Sequence, residues 1–274
     1  MPAVPVHLPP RHRLPSGAGV DGGSPDGRQS GDGPESAAGG AEESSGPRRE
    51  DGGQTYADFV KNRRLTFYHW FAGPPQFGLG EAVVAEATSR GMSAEHVSVD
   101  RLRGGEDLTA REPAESHIQA AKEGRVDGAH AGFPCSSFSR LRFREVPGLP
   151  GPVRDAQHLM GYPWNGPAAA AEAERGNLMV DRSMEFLSTV RDSARERGLP
   201  PVATCENPLP APEDHLPSAF FMPTVQAFLD DDETEFGEFN SCIYGVPIWK
   251  PERWAGCLHG LRELSGQCRC TYPH

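Results

Sequence analysis

The residues best suited to chemistry begin at "HAGFPCSSFSR", His130 to Arg140, where Cys135 directly follows Pro134, with Gly132 and Phe133 before it and Ser136 and Ser137 after it. A single thiol at such a constrained point is either a small buried hydrophobe in a turn or a nucleophile held at the end of a strand. As a nucleophile it acts as the thiolate, so a helix N-terminus or a nearby cation is expected to lower its pKa. Downstream, "CENP" supplies Glu206 and Asn207. Glu206 by itself reads as a solvated loop acid; with a thiol it forms a nucleophile and carboxyl pair. Arg253, beside Glu252, is a surface cation or a group that neutralises charge developing on a substrate. Asp100 closes "HVSVD" and is either a helix cap or a ribose ligand. It follows the glycine turn "FAG" (Phe71, Ala72, Gly73) at a separation near the roughly 20 residues expected for a ribose-binding acid. The C-terminal stretch gathers Cys257, His259, Cys268, Cys270 and His274. Paired zinc ligands usually have about two residues between them. Here Cys-x-His and Cys-x-Cys have one, so the set reads either as a zinc site or as a tail with exposed thiols.

Strands and helices in alternation are predicted to hold these groups. "LTFYHWF" (Leu65 to Phe71) is rich in β-formers and runs into the glycine turn; "GEAVVAEATSRG" is a helix that stops at Gly91. "HVSVD" is a short strand, "AESHIQAAKEG" a helix closed by Gly124, and "RVDGAHA" the strand that leads into the cysteine turn. A Pro/Gly-rich loop precedes the long amphipathic helix "LMVDRSMEFLSTVRDSARERG", and "PPVATCENP" is the next strand. This order predicts an α/β fold with a doubly wound, mostly parallel sheet, which binds its ligands outside the carboxyl ends of the strands. The glycine turn, Asp100, Cys135 and Glu206 all fall at those ends and face one crevice. "DDDETEFGE" (Asp230 to Glu238) reads as a solvated acidic loop.

Composition bounds the rest. Residues 1–55 are Gly, Ser, Pro and charge with almost nothing to bury, and are expected to be a disordered tail before a folded domain over 56–256 and a C-terminal tail over 257–274. The formal net charge is −11, so any nucleic-acid binding has to use a local basic face. The six cysteines have no framework spacing, and neither a secretion signal nor an apolar run of membrane-span length is present. The expectation is a protein that is neither secreted nor membrane-bound.

In order along the chain, the motifs resemble those of the cytosine-5 DNA methyltransferases, over about residues 65–256. "FAG" with Phe77 resembles the cofactor-binding first motif, "SVD" the ribose-binding strand end, and "EDLT" (Glu106 to Thr109) the acid that holds the adenine amino group. "GFPCSSFS" resembles the nucleophile motif, "RGNLMVDRSMEFL" the element after it, "CENP" the Glu-Asn motif, and "YGVPIWKPER" (Tyr244 to Arg253) the Tyr-Gly-x-Pro motif with its trailing arginine. The resemblance implies a Rossmann-like methyltransferase fold and transfer of a methyl group from S-adenosylmethionine to C5 of a flipped-out cytosine in DNA, through a covalent adduct to Cys135. It implies Glu206 as proton donor or hydrogen-bond partner at N3, Asn207 as the group that fixes the loop, and Arg253 at O2. It also implies Phe71, Ala72, Gly73, Asp100, Asp107, Pro134 and Leu178 around the cofactor.

Departures from that pattern are specific. His69 stands where the family carries aspartate, Pro75 and Gln76 replace glycines of the cofactor turn, Ser136 replaces glutamine, and Pro208 replaces valine. No target-recognition region or closing C-terminal motif follows in this sequence. Two further readings therefore accompany the first: a catalytically silent relative that binds cofactor, nucleic acid or a partner, and an RNA cytosine-5 methyltransferase. A protein partner that supplies target recognition fits the first reading, with nuclear localisation in a eukaryote and cytoplasmic otherwise.

Overall fold

The computed structural model describes residues 63–72, 78–101, 106–144, 147–148, 150–211, 213, 215–244 and 250–266. All of them fall in the compact unit Gly52–His274. The tail expected over 1–55 lies outside the described residues, as do Gly73, Pro75, Gln76, Cys268, Cys270 and His274.

In chain order the elements are β1 (Arg64–Trp70), α1 (Leu79–Ser89), β2 (Ser93–Val99), α2 (Arg111–Lys122), β3 (Gly128–Ala131), α3 (Pro167–Glu196), β4 (Ala203–Pro208), α4 (Pro223–Leu229), β5 (Glu235–Asn240) and β6 (Pro251–Cys257). The six strands form one mixed sheet in the order β2-β1-β3-β4-β6-β5. Strands β1 to β4 are parallel to their neighbours, and β6 runs antiparallel to both β4 and β5. The expected α/β class is therefore present, with β6 the single strand that runs against the rest.

Alternation along β1 decides what each face meets. Tyr68 and Trp70 face α2 and α3, and Trp70 stacks on Phe186 of α3 with ring centroids 4.3 Å apart. Phe67 and His69 point the other way, toward His96 of β2, and His69 also meets His130 of β3. Helix α3 begins with Pro at its first turn, and it buries Ala173, Asn177, Val180, Met184, Leu187, Val190 and Ala194, a stripe at three- and four-residue spacing. Burying such a stripe contributes about 1.5–3 kcal/mol for each large apolar side chain.

Two segments differ from expectation. The acidic stretch Asp230–Glu238 enters strand β5 at Glu235, and Asp231 and Glu233 both pair with Arg195 of α3. Its acids are therefore committed to an arginine rather than only solvated. The expected C-terminal tail begins inside β6, which ends at Cys257, and it continues as a 3₁₀ turn, Leu261–Leu264, against β5. Leu261 is buried there, and Phe239 bridges to Gly266.

Candidate active site

Strand order reverses at β1, since β2 lies on one side of it and β3 on the other. Loops that leave the ends of these strands diverge and open a crevice. A cleft of about 630 Å³ lies there, lined by Phe71, Asp100, Asp107, Pro134, Ser136 and Met179 among others. That volume suits a small-molecule ligand. Phe71, Asp100, Asp107 and Pro134, expected around a cofactor, are thus brought together from four separate stretches. Two other expected cofactor residues are not among those lining the cleft. Ala72 is buried in the core, and α3 presents Arg175 and Met179 in place of Leu178. Arg175 and Met179 are four residues apart on one helix face, from which Leu178 is rotated away.

Phe71 has φ 60°, a left-handed conformation that a bulky side chain rarely adopts and that costs about 1–3 kcal/mol. Its N–H still donates to the Val99 carbonyl at 2.8 Å, so the ladder between β1 and β2 continues through the strained residue. Asp107 accepts from the backbone N–H and the hydroxyl of Thr109 at 2.9 and 2.6 Å. These bonds, the hydroxyl first, hold its carboxyl below the usual range. One of its oxygens is thereby fixed, which orients the carboxylate at the rim of the cleft.

Between Pro134 and Ser136, which both line the cleft, lies the thiol. Cys135 is half-buried, with φ −87° and ψ 1°, and caps the 3₁₀ turn Ser136–Phe138. Asn207 donates its side-chain N–H to the Phe133 carbonyl at 2.9 Å and so ties the end of β4 to the cysteine turn. Gly132 lies against Glu206: a Cβ there would sit 3.1 Å from Oε1 and 3.3 Å from Cγ. Gly176 of α3 has the same part behind the turn, where a Cβ would come within 2.5 Å of the Ser137 hydroxyl.

Glu206 belongs to a polar cluster on the sheet face opposite α3. Burial pushes its carboxyl up, but His130, Lys250 and Trp254 together outweigh that and hold it down at about 2. Trp254 donates its indole N–H to Oε2 at 2.7 Å and packs its ring over His130 at 4.4 Å. His130 Nε2 lies 3.8 Å from the same oxygen, an ion-pair rather than a hydrogen-bond distance, while Nδ1 meets the Thr204 hydroxyl at 2.9 Å. Glu206 is therefore a carboxylate at neutral pH: it accepts hydrogen bonds and is not itself a reservoir of protons.

The thiol departs from expectation. Burial raises the Cys135 pKa, and the nearby Glu206 and Glu252 carboxylates add to the rise. Lys250 opposes them without reversing the sign. Lys250 is itself ion-paired to Glu252, whose other oxygen accepts from the Ser241 hydroxyl at 2.5 Å. No helix dipole rescues the thiol, because the turn after it is a three-residue 3₁₀ segment.

Arg253 is not in this cluster. In the β4–β6 register, Trp254 pairs with Glu206 and Arg253 pairs with Asn207. Alternation then sends Arg253 to the opposite face, where it pairs with Glu238 and lies over the Phe220 and Phe236 rings at 5.3 and 5.7 Å. The cation beside the thiol and the carboxylate is Lys250, three residues earlier. Sequence reasoning missed Lys250, His130, Trp254 and Glu252. The available signal was period-two spacing, since Glu252 and Trp254 share a face of β6 that Arg253 leaves.

Of the expected metal ligands, Cys257 is buried and His259 is fully exposed, 3.5 Å from Glu235. Among the described residues the one cluster with ligand atoms close enough for an ion is Asp231, Glu233 and Cys257. Its two carboxylates already hold Arg195. No family model, curated protein or solved structure matches the chain.

Proposed function

We propose that this chain is an S-adenosylmethionine-dependent methyltransferase of Rossmann-like fold that acts on C5 of cytosine in DNA. One observation carries the reading: the thiol of Cys135 is close enough to Glu206 to feel its charge, and the residues on either side of it, Pro134 and Ser136, line a cleft together with Phe71, Asp100 and Asp107. The lining suits a nucleoside: Asp100 for ribose hydroxyls, Phe71 for the face of a base, and Asp107 for an exocyclic amine. S-adenosylmethionine, when bound, supplies the methyl group.

The chain's own residues do the rest. A flipped cytosine enters between Cys135 and Glu206. The thiol proton leaves to solvent, the sulfur bonds to C6, and the displaced electron pair makes C5 enamine-like. N3 takes a proton from solvent as the sulfur adds, and the Glu206 carboxylate accepts hydrogen bonds from the exocyclic amine and from the new N3–H, which stabilises the protonated ring. Lys250 is the cation that favours the thiolate. After C5 carries the methyl group, loss of the C5 proton to solvent expels the thiolate, and N3 returns its proton to solvent to restore the ring.

A second reading is favoured by a specific observation: the raised thiol and the absence of Arg253 from the cluster suit a silent relative that binds without turnover. Covalent capture on DNA containing 5-fluorocytosine, with cofactor, separates the two. Wild type should form the adduct. Cys135→Ser should form none. Glu206→Gln should form it about 10²–10³-fold more slowly, the size of losing one preorganised charge-stabilising group. Equal capture by wild type and Cys135→Ser removes the nucleophile assignment, and no capture by wild type selects the silent relative.

A further inference from the structure

The two carboxylate oxygens of Glu206 stand in different surroundings. Trp254 donates its indole N–H to Oε2 at 2.7 Å, and His130 Nε2 approaches the same oxygen at 3.8 Å. Among the described residues no donor meets Oε1. A Cβ on Gly132 would stand 3.1 Å from Oε1, so this oxygen lies against the residue three positions before Cys135. The Glu206 side chain keeps 29% of its surface exposed. One oxygen is therefore held by the protein, and the other is an acceptor left for a ligand.

The indole that holds Oε2 is itself fixed. Trp254 stands directly opposite Glu206 in the β4–β6 register, so both side chains rise from the same sheet face. Its ring packs against His130 of β3 at 4.4 Å and Phe239 of β5 at 6.1 Å, on strands that lie to either side of β6 in the sheet. His130 is tied in turn to the Thr204 hydroxyl of β4 at 2.9 Å. This anchoring matters because the last torsion of a glutamate side chain is broad. A free carboxyl turns readily, whereas a donor on Oε2 fixes the plane of the group and with it the direction of Oε1.

Chemistry then selects the ligand. A carboxylate oxygen accepts and cannot donate. Position 4 of cytosine carries an amino group, whereas uracil and thymine carry a carbonyl oxygen there. An oxygen fixed beside that position gains a charge-assisted hydrogen bond from the amine and is repelled by the carbonyl. A carboxyl free to turn would lose the bond to the one and escape the repulsion of the other.

We propose that Trp254 is the positioning residue that makes the site select cytosine over uracil: it pins Oε2 of Glu206 so that Oε1 is presented to the group at position 4 of the ring. Trp254 touches no substrate and acts through Glu206. The proposal rests on the cytosine reading given above and assigns the choice of ring to a residue outside the reacting pair. Two oligonucleotides of deoxyadenosine, one with a single central deoxycytidine and the other with a single deoxyuridine, are compared by fluorescence anisotropy without cofactor. Their 5-fluoro forms are compared by covalent capture with cofactor. The proteins are wild type, Trp254→Phe, Glu206→Gln and the double variant. Trp254→Phe keeps a ring against His130 and Phe239 but has no N–H to donate. Wild type should favour cytosine about 5- to 150-fold, the size of one well-placed base contact. Trp254→Phe should bring that ratio close to one. Glu206→Gln should lose the preference too, and adding Trp254→Phe to it should change the ratio no further. A packing role alone would weaken both oligonucleotides equally, so Trp254→Phe with wild-type selectivity overturns the proposal. Wild type with no preference in either measurement overturns it as well. If capture fails while a Trp254-dependent preference in binding persists, the methyl-transfer reading falls and the positioning role stands.

Discussion

Cys135 sits in an environment that opposes its ionisation, and the opposition has named sources. Burial and the Glu206 and Glu252 carboxylates raise the thiol, and Lys250 alone of its neighbouring side chains lowers it. Removing the cation should therefore raise the pKa further and leave less thiolate at a fixed pH. Lys250→Met should alkylate at Cys135 about three- to tenfold more slowly with iodoacetamide below the thiol's pKa. Glu252→Gln should alkylate faster, since it removes a repelling charge and releases Lys250. Peptide mass mapping assigns the adduct, with Cys205 as an internal control: it is fully buried and pushed up to about 12, so it should stay unlabelled in the folded protein. Equal rates for wild type and both variants would sink the role given to Lys250. Glu206 makes the complementary case. Its folded pKa lies below the ordinary value, so it contributes stability that is fully present above 4.5 and is lost as pH falls toward about 2. The stability difference between wild type and Glu206→Gln should therefore shrink through that window, as followed by urea unfolding at stepped pH. A difference that stayed constant would mean that His130, Lys250 and Trp254 do not hold the carboxylate charged.

Elements account for what the sequence made legible and what it hid. The strands that lead to Asp100, Cys135 and Glu206 are short runs that close on an acid or a proline turn, and their order predicts one edge. Asn207 was legible for the same reason, because its partner, the Phe133 carbonyl, belongs to the adjacent parallel strand's turn. The pairing of β6 was not legible. A strand's alternation can be read only once its register is known, and a shift of one residue exchanges the two faces. That single residue decides between Arg253 in the cluster and Arg253 against Phe220. Arg253→Gln should consequently leave capture of 5-fluorocytosine DNA within about twofold of wild type, far from the effect expected of a group at the reacting base. Loss comparable to that in Glu206→Gln would restore the arginine to the site. The loop before α3 was equally opaque, since its order comes from one buried guanidinium rather than from any periodicity. Arg154→Met should remove its three hydrogen bonds, to the Leu159 and Ala173 carbonyls and the Asn177 side chain, and destabilise the protein by about 3 kcal/mol or more, read from urea unfolding. A cost below about 1 kcal/mol would show that the loop is held by other means.

At the scale of the molecule, the reversal of strand order at β1 does what no single residue can. It places the strained Phe71, the carboxylate of Asp100 and the turn of Pro134 around one cleft although 63 positions separate the first from the last. The cleft has polar anchors and an aromatic wall before any ligand arrives, so binding should need little rearrangement and should stabilise the folded state by mass action. With S-adenosylhomocysteine at 100 times its dissociation constant, the gain is about 2.7 kcal/mol, which corresponds to a rise in melting temperature of roughly 5–10 °C for a domain of this size. Asp100→Ala removes a charged acceptor, worth about 1.5–3 kcal/mol, so its affinity should fall about 10- to 150-fold. At the same ligand concentration about half to nine-tenths of the thermal shift should then disappear. Arg253→Gln lies on the far side of the sheet and should keep the full shift, which separates loss of the cleft from general damage to the fold. Calorimetry on the three proteins checks the affinities directly. Wild type that neither binds nor shifts at millimolar S-adenosylhomocysteine would mean that replacing glycines by Pro75 and Gln76 has cost the chain this cofactor, and the cleft would then have to be assigned to a different ligand.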